Sequence, residues 1–129
     1  HLPKRIYTMA KLRLSKVETI VRPVTVRLPT KNPNTFNEGT ISYEAKVKTK
    51  EELAALSEKG LSDVEYIDEL VVSVDGLGDD QDAAINGDAA LNEVKHGRWS
   101  TYLTTAIIQD YFERFGEARG KNPKTSRGR

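Results

Sequence analysis

The period of the apolar pattern changes partway along the chain, and this change limits the fold more than any other sequence feature. In Val24–Leu28 and again in Thr40–Lys48, apolar and polar residues alternate one by one, which is typical of half-buried β-strands. A turn-rich stretch, Thr30–Asn37, separates the two runs. The simplest interpretation is a β-hairpin. Pro23 and Pro29 bracket the first run, which indicates a short strand with at least one unpaired edge.

Helical signals replace the alternation after the hairpin. Two capping boxes, Thr49 with Glu52 and Ser62 with Glu65, each predict the start of a helix. In such a box the hydroxyl accepts one free backbone N–H and the glutamate accepts another. We expect the first of these helices to end at Gly60, because glycine is the usual residue just beyond a helix.

The second helix is predicted to continue to a point before Gly76. Its apolar residues lie at helical spacing: Ile67, Leu70, Val71 and Val74. The end of this run is β-branched, so we expect it to be frayed or extended. An acidic loop over 75–87 follows, and a third helix is predicted from a cap at Asp88 to about Val94.

The last helix, predicted over 98–118, has apolar residues on more than half of its circumference. An uninterrupted i+4 row consists of Trp99, Leu103, Ile107, Tyr111 and Phe115. A second row beside it contains Ile108 and Phe112. Two interpretations remain open: the helix is the central element of a small core, or part of the arc is left for another subunit or client. We expect the five-residue row to serve as both core and assembly surface.

These patterns predict an α+β fold with an N-terminal β-hairpin followed by a predominantly helical body of about four helices. We expect one domain over 9–120. Met9 begins a stretch that resembles a natural start, so residues 1–8 are interpreted as an expression scar. Residues 121–129 are polar and basic, and we expect a disordered tail there.

Several function classes are excluded or disfavoured by composition. The 129 residues contain no cysteine, which excludes disulfides, cysteine-ligated zinc and thiol nucleophiles. No apolar run approaches the ~20 residues that span a bilayer, and no secretory signal is visible, so we expect a cytoplasmic protein without a membrane partner. The two histidines, His1 and His96, have no partner at metal-ligand spacing. We therefore expect no enzyme activity, no catalytic residue, no metal and no cofactor.

The acidic loop contains a partial match to a calcium-binding EF-hand loop. In Asp82–Glu93, the first, fifth, sixth and twelfth loop positions carry suitable residues. The third position is Ala84, which cannot bind a cation, and the eighth is Ala89 in place of a β-branched residue. We expect a solvated loop rather than a calcium site.

The net charge of +1 conceals three segments of alternating sign. Residues 1–50 carry 11 Lys+Arg and 3 Asp+Glu, residues 51–93 carry 1 and 13, and residues 94–129 carry 8 and 3. Opposite charges on different faces favour head-to-tail self-association, so we expect a homo-oligomer. The basic ends also leave an alternative open, a small nucleic-acid-binding regulator, although the acidic centre would repel phosphates.

One stretch of the chain is similar to a known family. It comprises Asp68–Leu77, the acidic turn, Ala89–Leu91, and the aromatic helix with Tyr111-Phe112 that ends in residues 116–122. In the order and spacing of these features the chain resembles the tail assembly chaperones of long-tailed bacteriophages. The two predicted strands also fit the opening strands of that family. Many members carry a tryptophan shortly before the Asp-Gly pair, where this chain has Ser73 and Val74.

The resemblance implies a non-enzymatic protein of phage tail morphogenesis. Such chaperones bind the tape measure protein, keep its hydrophobic helices soluble and recruit tail tube subunits. They act in the cytoplasm of the infected host and are absent from the mature virion. They commonly occur with a longer form made by a translational frameshift, and codons for Arg119-Gly120-Lys121 are compatible with a slippery sequence.

Overall fold

The computed structural model describes residues 11–14, 16 and 18–115. In this part of the chain a hairpin, β1 (Thr19–Pro29) and β2 (Phe36–Lys46), precedes a mainly helical body. The later elements are α1 (Lys50–Glu58), α2 (Asp63–Leu70), β3 (Val71–Asp75), β4 (Leu77–Gly78), β5 (Ala84–Ile85), α3 (Gly87–His96) and α4 (Ser100–Phe115). The predicted α+β class, a hairpin followed by about four helices, is confirmed. The interpreted scar at 1–8 and the tail at 121–129 lie outside the described residues.

β1, β2 and β3 form an antiparallel sheet in that order. Alternation along the hairpin directs Val26, Ile41 and Tyr43 into the core on one face of the sheet. α4 packs on this face against β1, and α3 packs near β3. The opposite face of β1 carries exposed residues such as Val21 and Thr25. The helices therefore form a second layer on one side of a three-stranded sheet.

β1 is an edge strand, as its two prolines indicated, but the prediction of a short strand is wrong, because β1 continues through Pro23 over 11 residues. The Val47 N–H donates to the Glu18 carbonyl at 2.8 Å. This bond shows which residues of β1 form backbone hydrogen bonds with β2. Even-numbered residues of β1 bond to β2, and odd-numbered residues direct their backbone groups to the free edge. Pro23 and Pro29 are both odd-numbered, so neither removes a hydrogen bond from the hairpin.

The predicted second helix is wrong in its last turn, because α2 ends at Leu70 and residues 71–75 form β3. The register of β2 with β3 shifts next to Ala45, which places one extra residue in β3. This bulge turns both Val71 and Val74 into the core, although a regular strand would put residues three apart on opposite faces. Their spacing therefore imitates a helix.

Both predicted capping boxes are present in full at the starts of α1 and α2. The predicted cap of the third helix is wrong by two residues, because Asn86 occupies the N-cap position and makes no side-chain capping bond. Asp88 lies instead in the first turn, where its negative charge complements the helix dipole. None of the helices in the described residues is both long and apolar enough to cross a membrane.

Gly76 permits β3 to leave the sheet close to β2, and we expect Gly76→Ala to destabilise the protein by about 2 kcal/mol. Its φ is +100°, and an added Cβ would lie 3.1 Å from the Ile41 Cα. Gly60 also has a positive φ, +66°, but open space surrounds it. Gly60→Ala therefore measures the backbone strain alone, and we expect it to cost about 1 kcal/mol. Equal losses in urea unfolding of the two variants would contradict the close approach at Gly76.

Candidate functional site

The apolar row of α4 divides into a buried middle and more accessible ends. Leu103, Ile107 and Tyr111 lie in the hydrophobic core. Trp99, just before α4, keeps 37% of its surface exposed, and Phe115 is partly buried against the core. Most of the predicted assembly surface is therefore covered by the chain itself. The large exposed apolar side chains here are Trp99, at one end of the row, and Tyr102, which lies outside it.

Hydrogen bonds from buried tyrosines attach the hairpin to α4. The Tyr111 hydroxyl donates to the Lys46 carbonyl at 2.8 Å, which ties the end of β2 to the helix. Its ring also lies 4.8 Å from the Phe115 ring, between centroids. Burial, with a smaller contribution from Glu52, raises the pKa of Tyr111 to about 12. The phenol therefore stays neutral and acts as a hydrogen-bond donor.

Asp110 on α4 is the centre of a polar cluster that anchors the hairpin. Arg22 on β1 donates two hydrogen bonds to its carboxylate, both at 3.1 Å. The Tyr43 hydroxyl on β2 donates a third at 2.5 Å. This cluster joins two strands to one helix across sequence separations of 88 and 67 residues.

The protonation of this cluster follows from its contacts. Burial alone raises the pKa of Asp110, but the hydrogen bonds from Arg22 and Tyr43 outweigh it and hold that pKa below its usual value. Burial and the hydrogen bond to Asp110 raise the pKa of Tyr43 well above its usual value. The carboxylate is charged and occupied by three donors, which suits a structural anchor rather than a general base.

An open groove runs between the free edge of β1 and α4; we call it the edge groove. Its volume is about 370 Å³, and its walls are Thr25, Val26 and Arg27 on β1 and Thr101, Tyr102, Thr105, Ala106 and Gln109 on α4. Tyr102 is 42% exposed, and its ring centroid lies 5.8 Å from that of Trp99. The backbone groups of odd-numbered β1 residues face the free edge of the sheet. Thr25 and Arg27 therefore present backbone N–H groups beside the groove.

A second concavity lies at the tip of the hairpin, next to the acidic loop; we call it the acidic-rimmed cleft. Its volume is about 340 Å³. Apolar side chains line its floor: Val26, Leu28, Ile41, Leu77 and Leu103. The carboxylates of Asp79 and Asp82 stand on its rim, whereas the carboxylate of Glu38, which also lines the cleft, pairs with Arg27 at 3.7 Å. Asp79 Oδ1 also accepts the N–H groups of Gln81 and Ala83, which fixes the turn that carries the rim.

Within residues 11–14, 16 and 18–115, no three His, Asp or Glu side chains stand together as a metal site. The partial EF-hand match of Asp82–Glu93 is divided between a turn and a helix. Asp82 lies in the turn of the β4–β5 hairpin, whereas Glu93 lies on α3. His96 is exposed at the end of α3.

Two features of the site were not found from the sequence. Tyr102 lies three residues after Trp99, and this i, i+3 spacing of exposed aromatics could have identified the pair. The Asp110 cluster could not have been identified, because its partners come from distant strands. Its one sign in the sequence is the charged residue Asp110 directly before Tyr111 of the apolar row.

Comparison of the chain with protein-family models, with curated proteins and with solved structures finds no match in any of the three. What the protein does must therefore be inferred from its residue pattern and its geometry.

Proposed function

We propose that the protein is a non-enzymatic tail assembly chaperone of a long-tailed bacteriophage, which binds the tape measure protein and recruits tail tube subunits. The resemblance in residue order and spacing supports this proposal. The order of elements, a hairpin followed by helices, is compatible with it. The protein would act in the cytoplasm of the infected host, remain outside the mature virion and associate with copies of itself and with a frameshift-extended form.

The observation that carries the proposal is the aromatic pair Trp99 and Tyr102 beside the edge groove. Tryptophan and tyrosine supply much of the binding energy in protein interfaces, because they bury large areas at a small loss of side-chain freedom. Small side chains such as Ala106 leave the α4 wall of the groove open to close approach. The apolar stripe of an amphipathic client helix can occupy such a surface.

The proposal predicts that the double variant Trp99→Ala, Tyr102→Ala loses binding to the tape measure protein. The tape measure protein would be the one encoded downstream in the same phage genome. We expect at least about a tenfold drop in affinity, since hot-spot aromatic residues contribute 2 kcal/mol or more each. Co-expression, affinity capture of the chaperone and titration of a purified tape measure fragment measure the effect.

A matched control is Val47→Ala, Val72→Ala, which removes two exposed apolar side chains that lie outside the edge groove and should bind as the wild type does. Wild-type protein that fails to capture the tape measure protein contradicts the proposed function. Strong binding of generic DNA or RNA with a steep salt dependence would favour the nucleic-acid-binding regulator instead.

A further inference from the structure

The chain carries two leucines that no part of the described structure covers. Leu12 is 87% exposed and Leu14 is 84% exposed, whereas Val21, the next most exposed large apolar residue in the described part, reaches 66%. They alternate with Lys11 and Arg13, so an extended backbone places both leucines on one side and both cations on the other. We call residues 11–14 the basic leucine arm.

The acidic-rimmed cleft has the complementary character. Its floor is apolar, and no lysine or arginine is among its lining residues. Arg27 pairs with Glu38, so the rim carboxylates without a basic partner are those of Asp79 and Asp82. Gly39 opposes Val26 in the hairpin and lines the cleft without a side chain, and a Cβ added there would meet no atom within 4 Å. An extended segment can therefore place leucines on the floor while its cations face the rim.

The arm of the same chain is too short to occupy this cleft. The strand pairing already includes Glu18, because its carbonyl accepts the Val47 N–H. Leu14 precedes Glu18 by four residues, a span of about 14 Å at most. Ile41, the floor residue nearest to this end, lies opposite Val24, six residues along the strand and about 20 Å from Glu18. The same chain can therefore not place both leucines on the floor. The occupant must come from another molecule.

We infer that the basic leucine arm of one copy binds the acidic-rimmed cleft of a second copy. Leu12 and Leu14 contact the floor around Val26 and Leu103, and Lys11 and Arg13 pair with the rim carboxylates. Each copy retains a free arm or a free cleft, so the contact is head-to-tail and can extend to further copies. This inference goes beyond the proposed chaperone function and does not depend on the identity of the client.

The test mixes two variants of the full chain, each defective in one half of the contact. Leu12→Ser with Leu14→Ser disables the arm, and Gly39→Leu fills the cleft from a position where side-chain space is free. We expect the wild type to show concentration-dependent oligomers in sedimentation velocity. Either variant alone should associate at least about tenfold more weakly, because apolar burial at the contact is lost. An equimolar mixture should recover association, limited to dimers of one chain of each kind.

Val21→Ser is the matched control, since it removes an exposed apolar residue of β1 outside the arm and the cleft, and it should oligomerise as the wild type does. Raising the salt to about 0.5 M should weaken the wild-type oligomers, because the ion pairs at the rim are screened. A monomeric wild type at all concentrations, or a mixture that does not recover dimers, overturns the inference. Neither result bears on capture of the tape measure protein, which tests the proposed function separately.

Discussion

Replacing Ile107 by alanine is expected to lower the free energy of unfolding by about 2–5 kcal/mol, the usual range for an isoleucine truncated in a packed core. Ile107 is almost completely buried in the middle of α4, within the hydrophobic core. The truncation removes apolar contact area and leaves a cavity that a close-packed interior fills only partly. Such a loss is a large share of the 5–15 kcal/mol that stabilises a typical small domain. Urea denaturation followed by tryptophan fluorescence of Trp99 measures it.

Thr105→Ala provides the control on the same helix, because Thr105 is exposed and its truncation should change stability by less than about 0.5 kcal/mol. The comparison separates the two interpretations of the apolar row. If Ile107→Ala kept its stability and lost only oligomer or client binding, then Ile107 would contribute to an interface and not to the core.

The hairpin and the first two helix starts could be predicted because their signals are local. Alternation in Val24–Leu28 depends only on which face of a strand is buried. A capping box such as Thr49 with Glu52 closes on itself within four residues. β3 could not be predicted in the same way, since the bulge that turns Val71 and Val74 inward is defined by pairing with β2, more than 25 residues earlier.

The candidate site could be predicted only in part, for a related reason. The i+4 row correctly identified which residues of α4 are apolar, but periodicity does not say which neighbour covers them. α4 packs against β1, α2 and α3, and Tyr111 bonds the end of β2, while Tyr102 and the edge groove stay open. Charge segmentation likewise identified basic and acidic regions without showing that an acidic rim would surround an apolar floor.

Replacing Asp110 by alanine is expected to lower the free energy of unfolding by about 3 kcal/mol at neutral pH. The substitution leaves the buried Tyr43 hydroxyl without its acceptor and separates Arg22 from its carboxylate. The expected loss lies at the low end for a broken ion pair, because the Arg22 side chain is 25% exposed and solvent screens the pair. Glu113→Gln removes an exposed carboxylate three residues further along α4 and should change stability by less than about 0.5 kcal/mol.

The pH dependence identifies the charged form of Asp110 as the source of this stability. Because the folded-state pKa of Asp110 lies below its unfolded value, its charge stabilises the fold fully above the unfolded pKa, and this contribution is lost as the pH falls through the folded pKa. The difference in unfolding free energy between the wild type and Asp110→Ala should therefore be constant from pH 8 to about pH 5 and shrink below about pH 4. Denaturation curves of both proteins across this range measure it. A difference independent of pH down to acid unfolding would mean that packing, rather than the carboxylate charge, holds the hairpin against α4.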